Sequence, residues 1–165
     1  MVKLVAKKKY AMKQFFTPKR LLAFTIGLCY LWFGFLKFVP GLSPAEALAG
    51  DTINVLTGGI IHGRIAIVLL AIWEFTVGTA LVLNIVNKTV LWLAFVHMVC
   101  TFLPLVFFPS LSFSTAPFGL SLIGQYIIKN LVFISALLYL YQEKGKKQEE
   151  LPHVVKSKSL EHVGQ

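Results

Sequence analysis

The sequence predicts an all-α integral membrane protein, an antiparallel four-helix bundle, from its apolar composition, its four membrane-length apolar segments and its charge distribution. Of its 165 residues, 56% are hydrophobic and only 14% are charged, with a mean hydropathy of +0.73. Soluble domains carry about 25% charged residues. This composition excludes an ordinary soluble domain.

Four apolar segments are long enough to cross a bilayer, at residues 21–39, 65–86, 90–108 and about 125–141. A helix rises ~1.5 Å per residue, so the second segment covers about 33 Å, against a hydrocarbon layer of ~30 Å. Short connections favour antiparallel neighbours. Between spans one and two, Ser43 and Glu46 have the spacing of a capping box, which predicts a short outer helix ending near Leu56. Residues 21–141 therefore form one transmembrane domain.

The basic residues indicate the topology of the chain. Seven of the sixteen precede the first span, five follow Tyr141, and Lys88 lies between spans two and three. Basic residues accumulate in cytoplasmic segments, so both termini are expected in the cytoplasm. Residues 1–20 form a basic cytoplasmic arm, and residues 142–165 form a polar tail expected to be disordered. The uncharged segment 110–122 is expected at the outer interface or folded back as a lid.

The net charge of +9 has a simpler explanation than nucleic-acid binding. The charges flank the spans, and no motif that enters a nucleic-acid groove is present. Attraction to anionic lipid head groups accounts for a basic cluster beside a membrane. The expected partner is the lipid bilayer, with no nucleic acid.

Glu74 lies in the middle of the second span. A charge at that depth costs at least ~2.5 kcal/mol, so it normally faces the protein interior and pairs with another group. Depths estimated from helix rise make Lys129 the first choice of counter-ion and Lys37 or Arg64 the second. The alternative for Lys37 and Arg64 is that both extend to the outer head groups.

Helical periodicity predicts which faces of spans one and two pack on each other. Each face combines small residues, which permit close approach of backbones, with a polar group. The two faces are Gly27, Tyr30, Gly34 and Lys37 in span one, and Ala71, Glu74, Gly78 and Leu81 in span two.

Spans three and four carry further polar groups. Gln125 and Lys129 share one face of span four, and His97 lies near the middle of span three. A histidine at this depth either relays protons or is held by a hydrogen bond to a neighbouring helix. Because only one histidine is there, bis-histidine haem ligation is not expected, and no metal site is predicted.

Three motifs resemble the DoxX-like family of membrane proteins. They are residues 30–38 (YLWFGFLKF), residues 73–78 (WEFTVG) and residues 124–130 (GQYIIKN). The resemblance covers roughly residues 20–141 and implies a four-helix protein of the bacterial inner membrane. The family's namesakes are similar to the small membrane subunit of a thiosulfate:quinone oxidoreductase. The resemblance identifies no catalytic residues.

Three functions remain open from the sequence. The first is a membrane subunit of a redox complex, not catalytic alone, with a pocket for quinone or another small molecule between helices. Its expected partner is a soluble oxidoreductase, and no covalent cofactor is predicted. The others are a bundle that binds or transports a small molecule and a structural assembly partner. Four spans are few for a transporter, so transport would favour a homo-oligomer. The polar and aromatic residues expected around the pocket are Tyr30, Trp32, Lys37, Arg64, Trp73, Glu74, His97, Gln125, Tyr126 and Lys129.

Overall fold

A computed structural model of the chain describes residues 17–115 and 118–161, with side chains described as far as Gly145. The basic arm predicted for residues 1–20 lies outside this range up to residue 16. The elements in order are α1 (Pro18–Phe38), α2 (Glu46–Leu56), α3 (Gly63–Val82), α4 (Lys88–Cys100), α5 (Leu103–Phe107), α6 (Pro109–Ser112), β1 (Phe113–Thr115), β2 (Gly119–Leu120), α7 (Leu122–Ile128) and α8 (Asn130–Glu161).

Four helical segments among these residues are long and apolar enough to cross a membrane, which suggests a multi-pass membrane protein. They are Pro18–Phe38, Gly63–Val82, Lys88–Phe107 and Leu122–Gly145, and each overlaps a span predicted from the sequence. The first two are the single helices α1 and α3. The third consists of α4 and α5, and the fourth consists of α7 and the first half of α8.

Helices α1 and α3 pack in opposite directions through glycine, as the predicted faces required. A Cβ atom added to Gly78 would lie 2.7 Å from the backbone nitrogen of Leu31, and one added to Gly27 would lie 2.8 Å from that of Val82. One added to Gly34 would lie 3.1 Å from the Cβ atom of Glu74. The two backbones therefore touch along several turns, and we call this contact the glycine seam.

All four membrane-length segments contribute to one core. Ala23, Ile26 and Tyr30 of α1 are buried together with residues of the other segments. Those residues are Val77 and Leu81 of α3, Leu91, Ala94 and Met98 of α4, and Leu137 and Leu140 of α8. Outward-facing residues are large and apolar, as with Trp32, which is 63% exposed. An apolar exterior around a partly polar interior is the pattern expected of helices surrounded by lipid.

The connection between α3 and α4 is short, and residues within it cap both helix ends. Asn84 adopts φ of +59°, a left-handed conformation that asparagine tolerates, and the backbone nitrogen of Ile85 donates to the carbonyl of Ala80. The Asn87 side chain then accepts from the backbone nitrogen of Val90 and caps α4. The tight turn predicted for residues 84–88 is therefore present.

The third membrane-length segment is interrupted between Cys100 and Leu103. Pro104 has no backbone N–H to donate to the turn before it, so the kink predicted at this residue is a break between α4 and α5. Asn130 donates to the Thr101 hydroxyl at 2.8 Å and joins the break to the start of α8.

The connection between α5 and α7 contains a small antiparallel hairpin that the sequence did not reveal. β1 pairs with β2, with Phe113 opposite Leu120 and Thr115 opposite Gly119. Ser112 is fully buried, and its hydroxyl donates to the Pro104 carbonyl at 3.1 Å. The base of this segment is thus attached to α5 by a hydrogen bond.

Two sequence predictions differ from the structure at helix ends. Helix α2 begins at Glu46 without a side-chain cap, because the Glu46 carboxylate accepts from the Gly41 backbone nitrogen and from Arg64 instead of completing a capping box with Ser43. At the other end, α8 continues to Glu161, through residues where the sequence predicts a disordered tail. Glutamate, lysine and glutamine dominate the first part of this tail, residues 142–150, and are strong helix formers. Residues 162–165 lie outside the described range.

Candidate functional site

A chain of polar side chains crosses the interior of the molecule between α1, α3 and α4. Its members are Lys37 and Tyr30 of α1, Glu74 of α3 and His97 of α4, and we call it the polar chain. Lys37 and Glu74 are each only 5% exposed. Charged groups buried to this extent are rare unless they are paired.

Lys37 is the counter-ion of Glu74. Its ammonium donates to the two carboxylate oxygens at 2.7 and 3.0 Å and to the Phe33 carbonyl one turn back at 3.3 Å. The bidentate geometry satisfies both carboxylate oxygens from one donor group. A buried pair requires such geometry to offset the loss of hydration.

The glycine seam explains why Lys37 can reach Glu74. Gly34 packs directly against Glu74, so Lys37 lies only one helical turn further along α1. Because Gly34 faces Ala71 and Glu74, the first residues of α3 extend roughly 9 Å beyond the end of α1. Lys37 is therefore close to Glu74 although it belongs to the last turn of its own helix.

His97 continues the polar chain away from Lys37. Its Nε2 atom lies 3.4 Å from Glu74 Oε1, and its Nδ1 atom lies 3.1 Å from the Tyr30 hydroxyl. The Tyr30 hydroxyl donates to the Ala94 carbonyl at 2.8 Å, and the two rings meet edge to face. Both ring nitrogens of His97 are therefore within reach of oxygen atoms on different helices.

Lys129, the counter-ion that the sequence favoured, is not part of the polar chain. It is exposed, and its ammonium lies 4.0 Å from the centre of the Tyr126 ring in a cation–π contact. Gln125 is also exposed and its amide reaches the Leu120 carbonyl at 3.5 Å. The choice of Lys129 was wrong because depths were counted from each helix end separately, without the register that the glycine seam imposes.

Arg64, the other second-choice counter-ion, stabilises the connection between α1 and α3 instead. Its guanidinium contacts Glu46 Oε1 at 3.0 Å and the Phe38 carbonyl at 2.6 Å. It thereby joins the end of α1 to the starts of α2 and α3. A cation at the carboxyl end of a helix is favourable because the last carbonyls lack helical partners.

The aromatic residues expected around a pocket lie outside the polar chain, apart from Tyr30. Trp32, Trp73 and Tyr126 are all exposed on the apolar exterior. A separate apolar cavity of about 180 Å³ lies between α4 and α8, lined by Leu91, Trp92, Phe95, Leu137, Leu138 and Tyr141. No sequence motif identifies this cavity.

Every buried side-chain nitrogen or oxygen in the described part of the chain has a hydrogen-bond partner. Within the same residues, no three histidine, cysteine, aspartate or glutamate side chains are grouped as a metal site requires. The polar chain joins an ammonium, a carboxylate, an imidazole and a phenol in sequence, and each of these groups can donate or accept a proton.

The sequence named all four members of the polar chain and gave Lys37 as a second choice of counter-ion for Glu74, but it did not connect His97 to Glu74 or to Tyr30. Tyr30 and Lys37 were assigned to one face, and the estimated depths of Glu74 and His97 both fall near mid-membrane. From that shared depth, contact between Glu74 and His97 could have been predicted. The backbone acceptors at Phe33 and Ala94 have no sequence signature.

No protein-family model, curated protein or solved structure matches this chain. The resemblance to the DoxX-like proteins stays a prediction from the three sequence motifs.

Proposed function

We propose that this chain is a DoxX-like membrane subunit of a redox complex, and that the polar chain exchanges protons with a quinone or similar small molecule. The observation that carries the proposal is the position of His97 between the Glu74 carboxylate and the Tyr30 hydroxyl. Chains of acidic and histidine side chains inside membrane proteins are typical of proton relays.

Quinone reduction consumes protons together with electrons, and a relay of this kind would supply those protons in a part of the membrane without water. The electrons would come from a soluble oxidoreductase partner. Lys37 would hold Glu74 in place and balance its charge, and His97 would accept and release the proton. The DoxX-like motifs support the same assignment, because they include Tyr30, Lys37 and Glu74.

The proposed location is the bacterial inner membrane with both ends of the membrane domain toward the cytoplasm. Lys19 at the start of α1 forms an ion pair with Glu143 in α8, and Lys88 at the start of α4 lies 6.0 Å from the centre of the Tyr141 ring. Charged residues at the ends of three membrane-length segments thus lie together on the side that the excess of basic residues assigns to the cytoplasm.

The test is quinone retention during purification in native lipid. The wild-type chain is expected to carry co-purified quinone, measured by extraction and chromatography, and the double variant Lys37→Met, Glu74→Gln is expected to lose it. This variant removes both charges together, so no unpaired charge is left to unfold the protein. Lys129→Met is the matched control and should retain quinone. Absence of quinone from the wild type, or full retention in the double variant, would refute the redox assignment.

A second candidate function is a structural assembly partner, and the complete pairing of the polar chain favours it. Buried polar groups can fix the register of packed helices without adding stability. In this case the double variant would fold in an altered register and lose its protein partner, while quinone would be absent from the wild type. The two candidates are separated by testing whether a partner oxidoreductase co-purifies with the wild type and whether it still co-purifies with the double variant.

A further inference from the structure

The protons available at His97 can be counted from the contacts it makes. The Tyr30 hydroxyl has one proton, and the 2.8 Å contact with the Ala94 carbonyl uses it. Its oxygen can then only accept a hydrogen bond from His97 Nδ1, at 3.1 Å. A neutral imidazole has a single N–H. This proton must therefore be on Nδ1.

With the proton on Nδ1, the opposite ring nitrogen has a bare lone pair. His97 Nε2 lies 3.4 Å from Glu74 Oε1, and the carboxylate is also an acceptor. Charge-assisted hydrogen bonds between nitrogen and carboxylate are ~2.7–2.9 Å long, so the 3.4 Å contact is longer than the bond that a protonated Nε2 would make to the carboxylate. Two acceptors facing each other in a buried site form a place for one additional proton.

We propose that His97 Nε2 and Glu74 Oε1 together form a binding site for a single proton, and that Tyr30 is the positioning residue that keeps this site vacant. The Tyr30 hydroxyl does so by holding the imidazole in the Nδ1–H tautomer. When a proton binds to Nε2, each of the three contacts made by the imidazole and the Tyr30 hydroxyl has its own proton, and the group of Lys37, Glu74 and His97 gains one positive charge. The proton is taken from the surroundings and forms one N–H bond at Nε2, and no other covalent bond forms or breaks.

The site's surroundings leave few other groups to hold this proton. The described titratable groups that face the imidazole are Lys37 and Tyr30 from α1 and Glu74 from α3. Lys37 already donates to the carboxylate, and α8 contributes the neutral Asn130, which is bonded to Thr101. Binding of the proton at this site does not depend on the proposed function. Only the use of that proton rests on it.

The experiment is nitrogen-15 NMR of labelled histidine in the full chain embedded in lipid bilayers, with His97 identified by its loss in His97→Gln. We expect Nδ1 to carry the proton at high pH and a single step to the doubly protonated ring as pH falls. In Tyr30→Phe, Nδ1–H loses its acceptor, so the tautomer ratio should move toward Nε2–H by about tenfold, the size of one ordinary hydrogen bond. The exposed Tyr139→Phe should leave the ratio unchanged. An Nε2–H tautomer in the wild type, or an unchanged ratio in Tyr30→Phe, would overturn the proposal.

A second variant keeps the test decisive if Tyr30→Phe does not fold. In Lys37→Met, Glu74→Gln a neutral glutamine amide replaces the carboxylate, so the negative charge that stabilises a proton on Nε2 is lost. We expect the ring to stay neutral across the range in which the wild type titrates, and titration identical to the wild type would contradict the proposal. These outcomes do not depend on quinone, so failure of the redox assignment and failure of the proton site are distinguishable.

Discussion

Removing one charge of the buried pair should destabilise the protein far more than removing both. Lys37 and Glu74 are 5% exposed and are joined by contacts of 2.7 and 3.0 Å. Loss of one partner from such a pair costs about 3–5 kcal/mol, because the other charge is left buried and unpaired. We therefore expect Lys37→Met and Glu74→Gln each to lower the free energy of unfolding by about 3–5 kcal/mol, more than a hundredfold in the folding equilibrium.

The double variant should recover most of this loss, since replacing both partners of a buried pair by neutral groups is often neutral or stabilising. Unfolding is measured by titrating SDS into mixed micelles and following the fluorescence of the three tryptophans. Lys129→Met is the matched control, and the loss of its exposed cation–π contact should cost no more than about 1 kcal/mol. Additive single effects, or a larger loss in Lys129→Met than in Lys37→Met, would refute the pairing.

Two further substitutions test the packing around the polar chain. Gly78→Ala places a methyl group 2.7 Å from the Leu31 backbone nitrogen, so it should separate α1 from α3 and destabilise the protein by about 1–3 kcal/mol in the same titration. The control is Gly145→Ala, where nothing lies within 4 Å and no destabilisation is expected. Equal effects of the two substitutions would contradict the glycine seam. Asn130→Ala removes the 2.8 Å hydrogen bond to Thr101 and should cost about 0.6–2 kcal/mol, with faster amide hydrogen exchange at the break between α4 and α5; unchanged exchange there would exclude a role for this bond.

The membrane-length helices could be predicted from local composition alone. Apolar runs of sufficient length identify a span whatever the rest of the chain does, and the small residues Gly27, Gly34 and Gly78 share faces with the polar groups at helical spacing. Those faces do meet in the structure. The tight turn at Asn84 was also predictable, because its capping residues are neighbours in the sequence.

The partner of Glu74 could not be predicted with the same methods. It depends on how far α3 slides along α1, and that register is set by contact between glycines rather than by any property of one helix. The prediction that Lys129 pairs with Glu74 requires all four helices to begin at the same depth in the membrane. The β1–β2 hairpin was missed because its strands have only three and two residues, too few to show a period.

The most direct test of the account is a solid-state NMR measurement of the coupling between lysine nitrogen-15 at Nζ and carbon-13 at the glutamate carboxyl, made on the wild-type chain in bilayers. The account predicts a strong coupling at the Glu74 carboxyl, consistent with its 2.7 and 3.0 Å contacts with Lys37, that disappears in Lys37→Met and persists in Lys129→Met, beside the separate coupling of Lys19 with Glu143. A Glu74 carboxyl with no coupling to any lysine, or one whose coupling is lost in Lys129→Met, would contradict it.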